Sequence, residues 1–148
     1  AWSAFYQMVK SFRNPDSTVD RVRTGCTDAP IMHLDGYSVA TSVESEYNAW
    51  FNRWACDFYL PVLMKLPGIQ EFDCYKFIDV PLKGSWASKQ VEYPRYLSVI
   101  HFESPEAFQD YERSIELAAF REAIKTAFPT GIESKWHVLY ELMKSWRK

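Results

Sequence analysis

The chain has 148 residues, with 17 basic and 19 acidic side chains and a formal net charge of −2. This length fits one domain with a sizeable core. Because no run of Lys or Arg accompanies the weak net charge, nucleic acid is not expected as a partner.

Aromatic side chains are unusually frequent, with 6 Trp, 9 Tyr and 10 Phe making up 17% of the chain. Rings bury much apolar area and often line ligand cavities or interfaces. The composition therefore favours two interpretations about equally, a ring-rich core or a cavity for a small apolar or aromatic ligand.

The cysteines indicate a reducing environment. Cys26, Cys56 and Cys74 are odd in number and widely spaced, so a disulfide framework or a zinc site is not expected. No apolar run approaches the roughly 20 residues that a membrane span needs, and the N-terminus lacks a signal-peptide pattern. We expect a cytoplasmic protein without a membrane partner.

Residues 1–35 differ from the rest and are predicted to form an N-terminal extension. Apolar residues at helical spacing predict a short amphipathic helix there. They are Trp2, Phe5, Tyr6, Val9 and Phe12. A turn is predicted at residues 14–17, and the stretch that follows, up to Pro30, is polar and hard to assign.

The predicted domain, residues 36–148, begins with a strand over residues 37–43 and a helix from Glu44. One broad apolar face is predicted for that helix. It comprises Tyr47, Trp50, Phe51, Trp54, Phe58 and Val62. Pro61 should kink the helix, and Pro67-Gly68 should end it.

The second half is predicted to repeat this alternation of strand and helix. Strands are predicted over residues 69–80, 96–102 and 136–143, with a polar loop over 81–92. Ser104 as N-cap and Pro105 at the first helical position begin a second helix, which continues to Pro129.

The order β-α-β-β-α-β predicts an α+β, ferredoxin-like fold with a four-stranded antiparallel sheet and two helices on one face. The predicted strands are apolar on both faces, so both faces should be buried. We therefore expect a homodimer whose two sheets pack face to face.

Two stretches resemble the dimeric α/β-barrel superfamily. Residues 46–54, with Leu60-Pro61 and 66–69 (LPGI), resemble the first helix of EthD-like proteins. Residues 99–111 resemble the strand-to-helix passage of stress-responsive A/B-barrel proteins and of plant polyketide cyclases. The resemblance covers about residues 37–145 and implies the fold and a pocket for a small molecule.

The resemblance also implies individual site residues. Counting back from Pro61, Trp54 takes the Trp position of the EthD-like motif and Tyr59 replaces its His, unless Trp50 is the true match. Tyr111 matches the pocket tyrosine of the cyclases, whereas their catalytic histidine falls on Leu117. Since no His occurs in residues 105–128, a haem cofactor is not expected.

The candidate base is a histidine, the commonest general base near neutral pH. We expect His101 in this role, with Tyr111 and Tyr59 donating hydrogen bonds to a developing oxyanion. The expected substrate-binding residues are Trp54, Phe58, Trp50, Phe108, His137 and Asp57. His33 lies before the predicted domain. His101 and Glu103 are only two candidate ligands, so no metal site is predicted.

The sequence therefore predicts a cofactor-independent enzyme of cyclase, dehydratase, other lyase or monooxygenase type. Its substrate would be a small aromatic or polyketide-like carbonyl compound, held between sheet and helices. The competing hypothesis is a non-catalytic dimer that binds a ligand or serves in a stress response. A fold that hosts many functions does not decide between them.

Overall fold

A computed structural model describes residues 5–16, 31–78 and 93–141. The strands are β1 (Phe5–Arg13), β2 (Ile31–Val39), β3 (Ile69–Ile78), β4 (Tyr96–Phe102) and β5 (Ile132–Glu141). The helices are α1 (Glu44–Trp50), a π-helical segment (Phe51–Tyr59), α2 (Leu60–Leu63), α3 (Pro105–Arg113) and α4 (Ile115–Ala127).

The strands form one antiparallel sheet in the order β1-β3-β4-β2-β5. Strands β2 to β5 have the ferredoxin-like arrangement, so the predicted α+β fold is confirmed. The predicted strand number is corrected from four to five, because β1 adds to the free edge of β3. The main core lies between sheet and helices and includes Leu60, Leu63, Ile69 and Phe102.

The predicted N-terminal helix is wrong, because Phe5–Arg13 is β1. Its backbone pairs with β3 from Phe5 opposite Ile78 to Arg13 opposite Glu71. A sheet edge supplies backbone hydrogen-bond partners far away in sequence, and local apolar spacing does not reveal them. The predicted turn does follow, where Asp16 N–H donates to Asn14 Oδ1 at 2.9 Å.

The predicted apolar face of the first helix changes at the π-helical segment. Leu60 N–H there donates to the carbonyl of Ala55, five residues earlier. Each i→i+5 bond places an extra residue in the turn. The residues that face the core after such a turn are therefore different from those that a regular α-helix would place there. Ala55 and Leu60 are fully buried, whereas Trp54 and Phe58 are 48% and 55% exposed.

The second predicted helix is two helices that meet at Ser114. Its beginning is as predicted, since Ala107 N–H donates to Ser104 Oγ at 3.1 Å. Ser114 then adopts an extended backbone, with φ −68° and ψ 145°. Its hydroxyl donates to the Tyr111 carbonyl at 2.7 Å and accepts from Leu117 N–H at 3.2 Å, so it ends α3 and caps α4.

The strand boundaries differ mostly at the start. β3 and β4 begin where predicted, but β2 and β5 begin at residues 31 and 132 instead of 37 and 136. The predicted loop over residues 81–92 lies outside the described residues. In the part of the chain that is described, no helix is long and apolar enough to cross a membrane.

The displaced helix face gives a testable contrast between two apolar residues. Leu60→Ala should lower the free energy of unfolding by about 2–5 kcal/mol, since it opens a cavity at a fully buried position. Trp54→Ala should lower it by less than about 1 kcal/mol. Urea unfolding measures both values, and a larger loss at Trp54 would contradict the π-helical register.

Candidate functional site

The candidate site begins with the alternation of side chains along β2. This strand lies between β4 and β5, with His33 opposite Ile100 and Asp35 opposite Ser98 on β4. Because successive residues of a strand point to opposite faces, His33, Asp35 and Tyr37 share one face. That face looks toward the helices.

A cavity of about 180 Å³ lies between this face and the helices. Most of its surface is apolar. The apolar wall includes Phe51, Phe72, Ile100, Leu117, Phe120 and Ile124. The residues with polar groups are His33, Asp35, Tyr37, Tyr47, Ser98, Tyr111, Arg121 and Ser134. A mostly apolar pocket with a few convergent polar groups is typical of a small-molecule site.

His33, His137 and Asp35 form a polar chain from the interior to solvent. His33 Nε2 lies 3.2 Å from His137 Nδ1, and the latter atom lies 3.9 Å from Asp35 Oδ1. Burial, followed by the nearby His137, lowers the pKa of His33 to about 4. His33 is therefore neutral near pH 7, while the His137 side chain is 56% exposed.

The Asp35 carboxyl group is the candidate base of the cavity. The Asp35 side chain is 43% exposed. Its partial burial still raises its pKa above the usual range, although His137 and Arg121 oppose that shift. A carboxylate with a raised pKa accepts a proton more readily near neutral pH than an ordinary one.

Tyr111 and Arg121 contribute hydrogen-bond donors to the cavity wall. Tyr111 is buried, and burial raises the pKa of its phenol, so the hydroxyl remains protonated. This hydroxyl makes no hydrogen bond to the described residues. Arg121 pairs with Glu112 at 3.1 Å and is half-exposed.

A second cavity of about 240 Å³ adjoins the first. Tyr37, Tyr47 and Phe51 line both cavities. The hydroxyl oxygens of Tyr37 and Tyr47 lie 2.6 Å apart. This hydrogen-bonded pair therefore forms part of the partition between the two spaces.

Only some of the predicted site residues reach the first cavity. Tyr111 lines it, His137 contacts His33, and the Phe108 ring lies 5.3 Å from the His33 ring. Trp50 stacks on Phe120 at 6.4 Å, behind the cavity wall.

The remaining predicted residues of the first helix lie outside the cavity. Trp54, Tyr59 and Trp50 border an open groove on the outer surface, beside α4. Phe58 and Asp57 are exposed. The expectation that Trp54 and Phe58 line the cavity is therefore not met, since the π-helical segment turns both rings outward.

His101 lies on the sheet face away from the helices. The pleat of β4 directs Ile100 into the cavity and His101 to the other side. His101 Nε2 lies 3.4 Å from Asp73 Oδ2. His101 therefore does not reach the cavity.

Sequence reasoning set His33 aside, because it lay before the predicted domain, and missed Asp35. Their signal is the alternation in residues 31–37 (IMHLDGY), with polar or tyrosine side chains at every second position. The predicted strand began at residue 37, so both side chains fell before it.

The low pKa of His33 predicts a pH-dependent loss of stability. An unfolded His has a pKa of about 6.5, so below that pH the unfolded chain binds a proton that buried His33 does not. The free energy of unfolding therefore has its full value above pH 6.5 and falls by about 3 kcal/mol as the pH drops to about 4.

His33→Gln should reduce this pH dependence, as measured by urea unfolding at a series of pH values. His137→Gln should reduce it only in part, since burial is the larger cause of the lowered pKa of His33 and His137 the smaller. If His33→Gln leaves the pH dependence intact, His33 is not buried as a neutral side chain.

Comparisons with known proteins identify similar structures without sequence relatives. No family model matches the chain, and no curated protein matches it. An EthD family protein from Bacillus halodurans is 12% identical, with a TM-score of 0.51, covering 76% of this chain and 99% of that one.

Two enzymes are similar at the same level. SnoaB, a cofactor-independent oxygenase from Streptomyces nogalater, is 11% identical, with a TM-score of 0.50, covering 81% of this chain and 100% of that one. The heme-degrader MhuD from Mycobacterium tuberculosis is 22% identical, with a TM-score of 0.51, covering 80% and 100%. At this identity the similarity establishes the fold. The chain therefore has a ferredoxin-like fold, as the sequence predicted.

Proposed function

We propose that the chain is a cofactor-independent enzyme that removes a proton from a small aromatic or carbonyl compound bound between sheet and helices. The observation that carries this proposal is the Asp35 carboxyl group, whose pKa burial raises, in a mostly apolar cavity that also contains the Tyr111 phenol. A base and an oxyanion donor facing one apolar space are the parts that such a reaction needs.

The cavity size limits the substrate. At about 180 Å³ it is slightly larger than the roughly 150 Å³ cavity that holds benzene in an engineered protein. The rings of Phe51, Phe72 and Phe120 suit a flat apolar ligand. A compound with one ring and a carbonyl or hydroxyl group fits these constraints.

In the proposed reaction, Asp35 takes a proton from a carbon next to a carbonyl. The electron pair of that C–H bond forms the enolate double bond, and the carbonyl oxygen gains the negative charge. The Tyr111 hydroxyl donates a hydrogen bond to this oxygen, and the Arg121 cation at the cavity wall stabilises the charge.

The histidine pair completes the proton path. His137 lies beside Asp35 and is exposed, so it links the carboxyl group to solvent. His33 stays neutral and holds His137 through a ring-to-ring hydrogen bond. Cyclisation, dehydration and oxygenation of an electron-rich ring can all begin with such an enolate or phenolate.

The similar fold of a cofactor-independent oxygenase supports this reaction class. The role of base, expected for His101 from the sequence, belongs to Asp35 in this proposal, because His101 faces the opposite side of the sheet.

A hydrogen-exchange assay tests the proposal with acetophenone as the probe. In D₂O the wild-type protein should accelerate exchange of the methyl protons, followed by proton NMR. Asp35→Asn should lower the catalysed rate about 100-fold, since it removes the general base. Asp57→Asn, the same change at an exposed position outside the cavity, should leave the rate unchanged.

Either alternative result is informative. Acetophenone could bind, as shown by chemical-shift changes, and yet exchange its protons no faster than in buffer. That result would contradict the enzyme hypothesis and favour a non-catalytic binding protein. Equal rates in wild type and Asp35→Asn would remove Asp35 from the role of base.

We also propose that the chain is a cytoplasmic homodimer that pairs through the β5 end of the sheet face away from the helices. Val138 and Tyr140 lie on that face of β5, opposite Leu34 and Met32, and they are 36% and 50% exposed. Exposed apolar side chains in a row favour burial against a second copy.

Light scattering after size-exclusion chromatography tests the dimer. The wild-type mass should correspond to two chains, and the double variant Val138→Lys/Tyr140→Lys should elute as a monomer. Leu139→Lys, on the same strand but the opposite face, should remain dimeric. A monomeric wild type would refute the pairing.

A further inference from the structure

A second cluster of ionisable side chains lies across the sheet from the cavity. Glu71 and Asp73 project from β3, and His101 projects from β4 beside them, with Glu71 directly opposite His101. All three residues are buried, with exposures of 4%, 2% and 6%. The cluster takes no part in the proton transfer proposed for the cavity.

The geometry of this cluster matches a metal site. His101 Nε2 lies 3.4 Å from Asp73 Oδ2 and 3.9 Å from Glu71 Oε2. One ligand atom from each residue lies within 4.8 Å of the other two. Ligands about 2.0–2.2 Å from one zinc ion stand roughly 3–3.5 Å apart, so small side-chain shifts would bring all three atoms onto one ion.

One surrounding contact holds Asp73 in position. Ser11 on β1 donates from Oγ to Asp73 Oδ1 at 2.6 Å, while Oδ2 faces His101. The other ring nitrogen of His101, Nδ1, is buried without a hydrogen bond. The polar contacts of this imidazole are therefore directed at the two carboxylates.

We propose that Glu71, Asp73 and His101 bind a divalent transition-metal ion on this face of the sheet. One imidazole and two carboxylates suit zinc, cobalt, manganese or ferrous iron. A divalent cation also offsets the desolvation cost of two carboxylates in a buried position. Three protein ligands leave at least one coordination position for water or another ligand.

The site revises one sequence-based expectation. No metal was predicted, because Glu103, just after β4, was the one other candidate ligand near His101 in the sequence. Strand pairing supplies the missing ligands from β3, which lies 28 to 30 residues earlier in the chain. Ser11 of β1 makes the N-terminal strand part of the site.

Metal titration of the full chain after EDTA treatment tests the proposal, with Co²⁺ and Zn²⁺ as probes. Wild type should bind one Co²⁺ per chain, with visible d–d absorption, and Zn²⁺ should displace it. His101→Gln and Asp73→Asn should each weaken binding at least about tenfold. Ser11→Ala should weaken it by about tenfold, since it removes a supporting contact of a ligand.

Matched controls separate this site from other ligands. His137→Gln and Asp57→Asn make the same changes at exposed positions and should bind the metal like wild type. Asp35→Asn should also bind normally, so failure of the proton-transfer proposal leaves this result unaffected. Far-UV circular dichroism checks that each variant is folded, and Glu71→Gln replaces any variant that is not.

Two results would overturn the proposal. One is a wild-type protein that binds neither Co²⁺ nor Zn²⁺ at micromolar concentrations. The other is undiminished binding in the folded ligand variants. A rise in wild-type Tm with Zn²⁺ that is absent in His101→Gln would support it, because a ligand that binds the folded state stabilises that state.

Discussion

The pairing of β2 with β4 on one side and β5 on the other is the constraint on which the site depends. A strand held at both edges has a fixed register, and a slip of one residue would turn every side chain to the other face. His33 and Asp35 therefore point toward the helices. The same pairing brings His137 of β5 beside both of them.

The helices shape the space that this face looks into. The π-helical segment turns Trp54 and Phe58 outward and leaves Phe51 on the cavity wall. The break at Ser114 starts α4 in a new direction. Leu117 and Phe120 of α4 then form part of the cavity wall on the side of the helices. Both irregularities occur where a regular helix would have directed different residues inward, so the cavity depends on departures from ideal geometry.

The sequence predicted what local patterns control. Periodicity and capping located β3, β4 and the start of α3 well, and the order of elements gave the ferredoxin-like fold. Non-local partners decided the rest. β1 is a strand because β3 has a free edge. The spacing of apolar residues does not reveal the extra residue per turn over residues 51–59. Tyr111 was found through resemblance, whereas Asp35 was missed because its strand was placed too late.

Alternation along β4 also separates the two sites. Ile100 faces the cavity and His101, the next residue, faces Glu71 and Asp73. A sheet is one backbone thick, so the two clusters are close in space but have no shared side chain, and each can gain or lose its ligand independently. Ser11 ties β1 to the carboxylate cluster. β1, the strand added to the ferredoxin-like core, thus contributes to the face away from the helices. The four strands β2 to β5 and the helices are sufficient for the cavity.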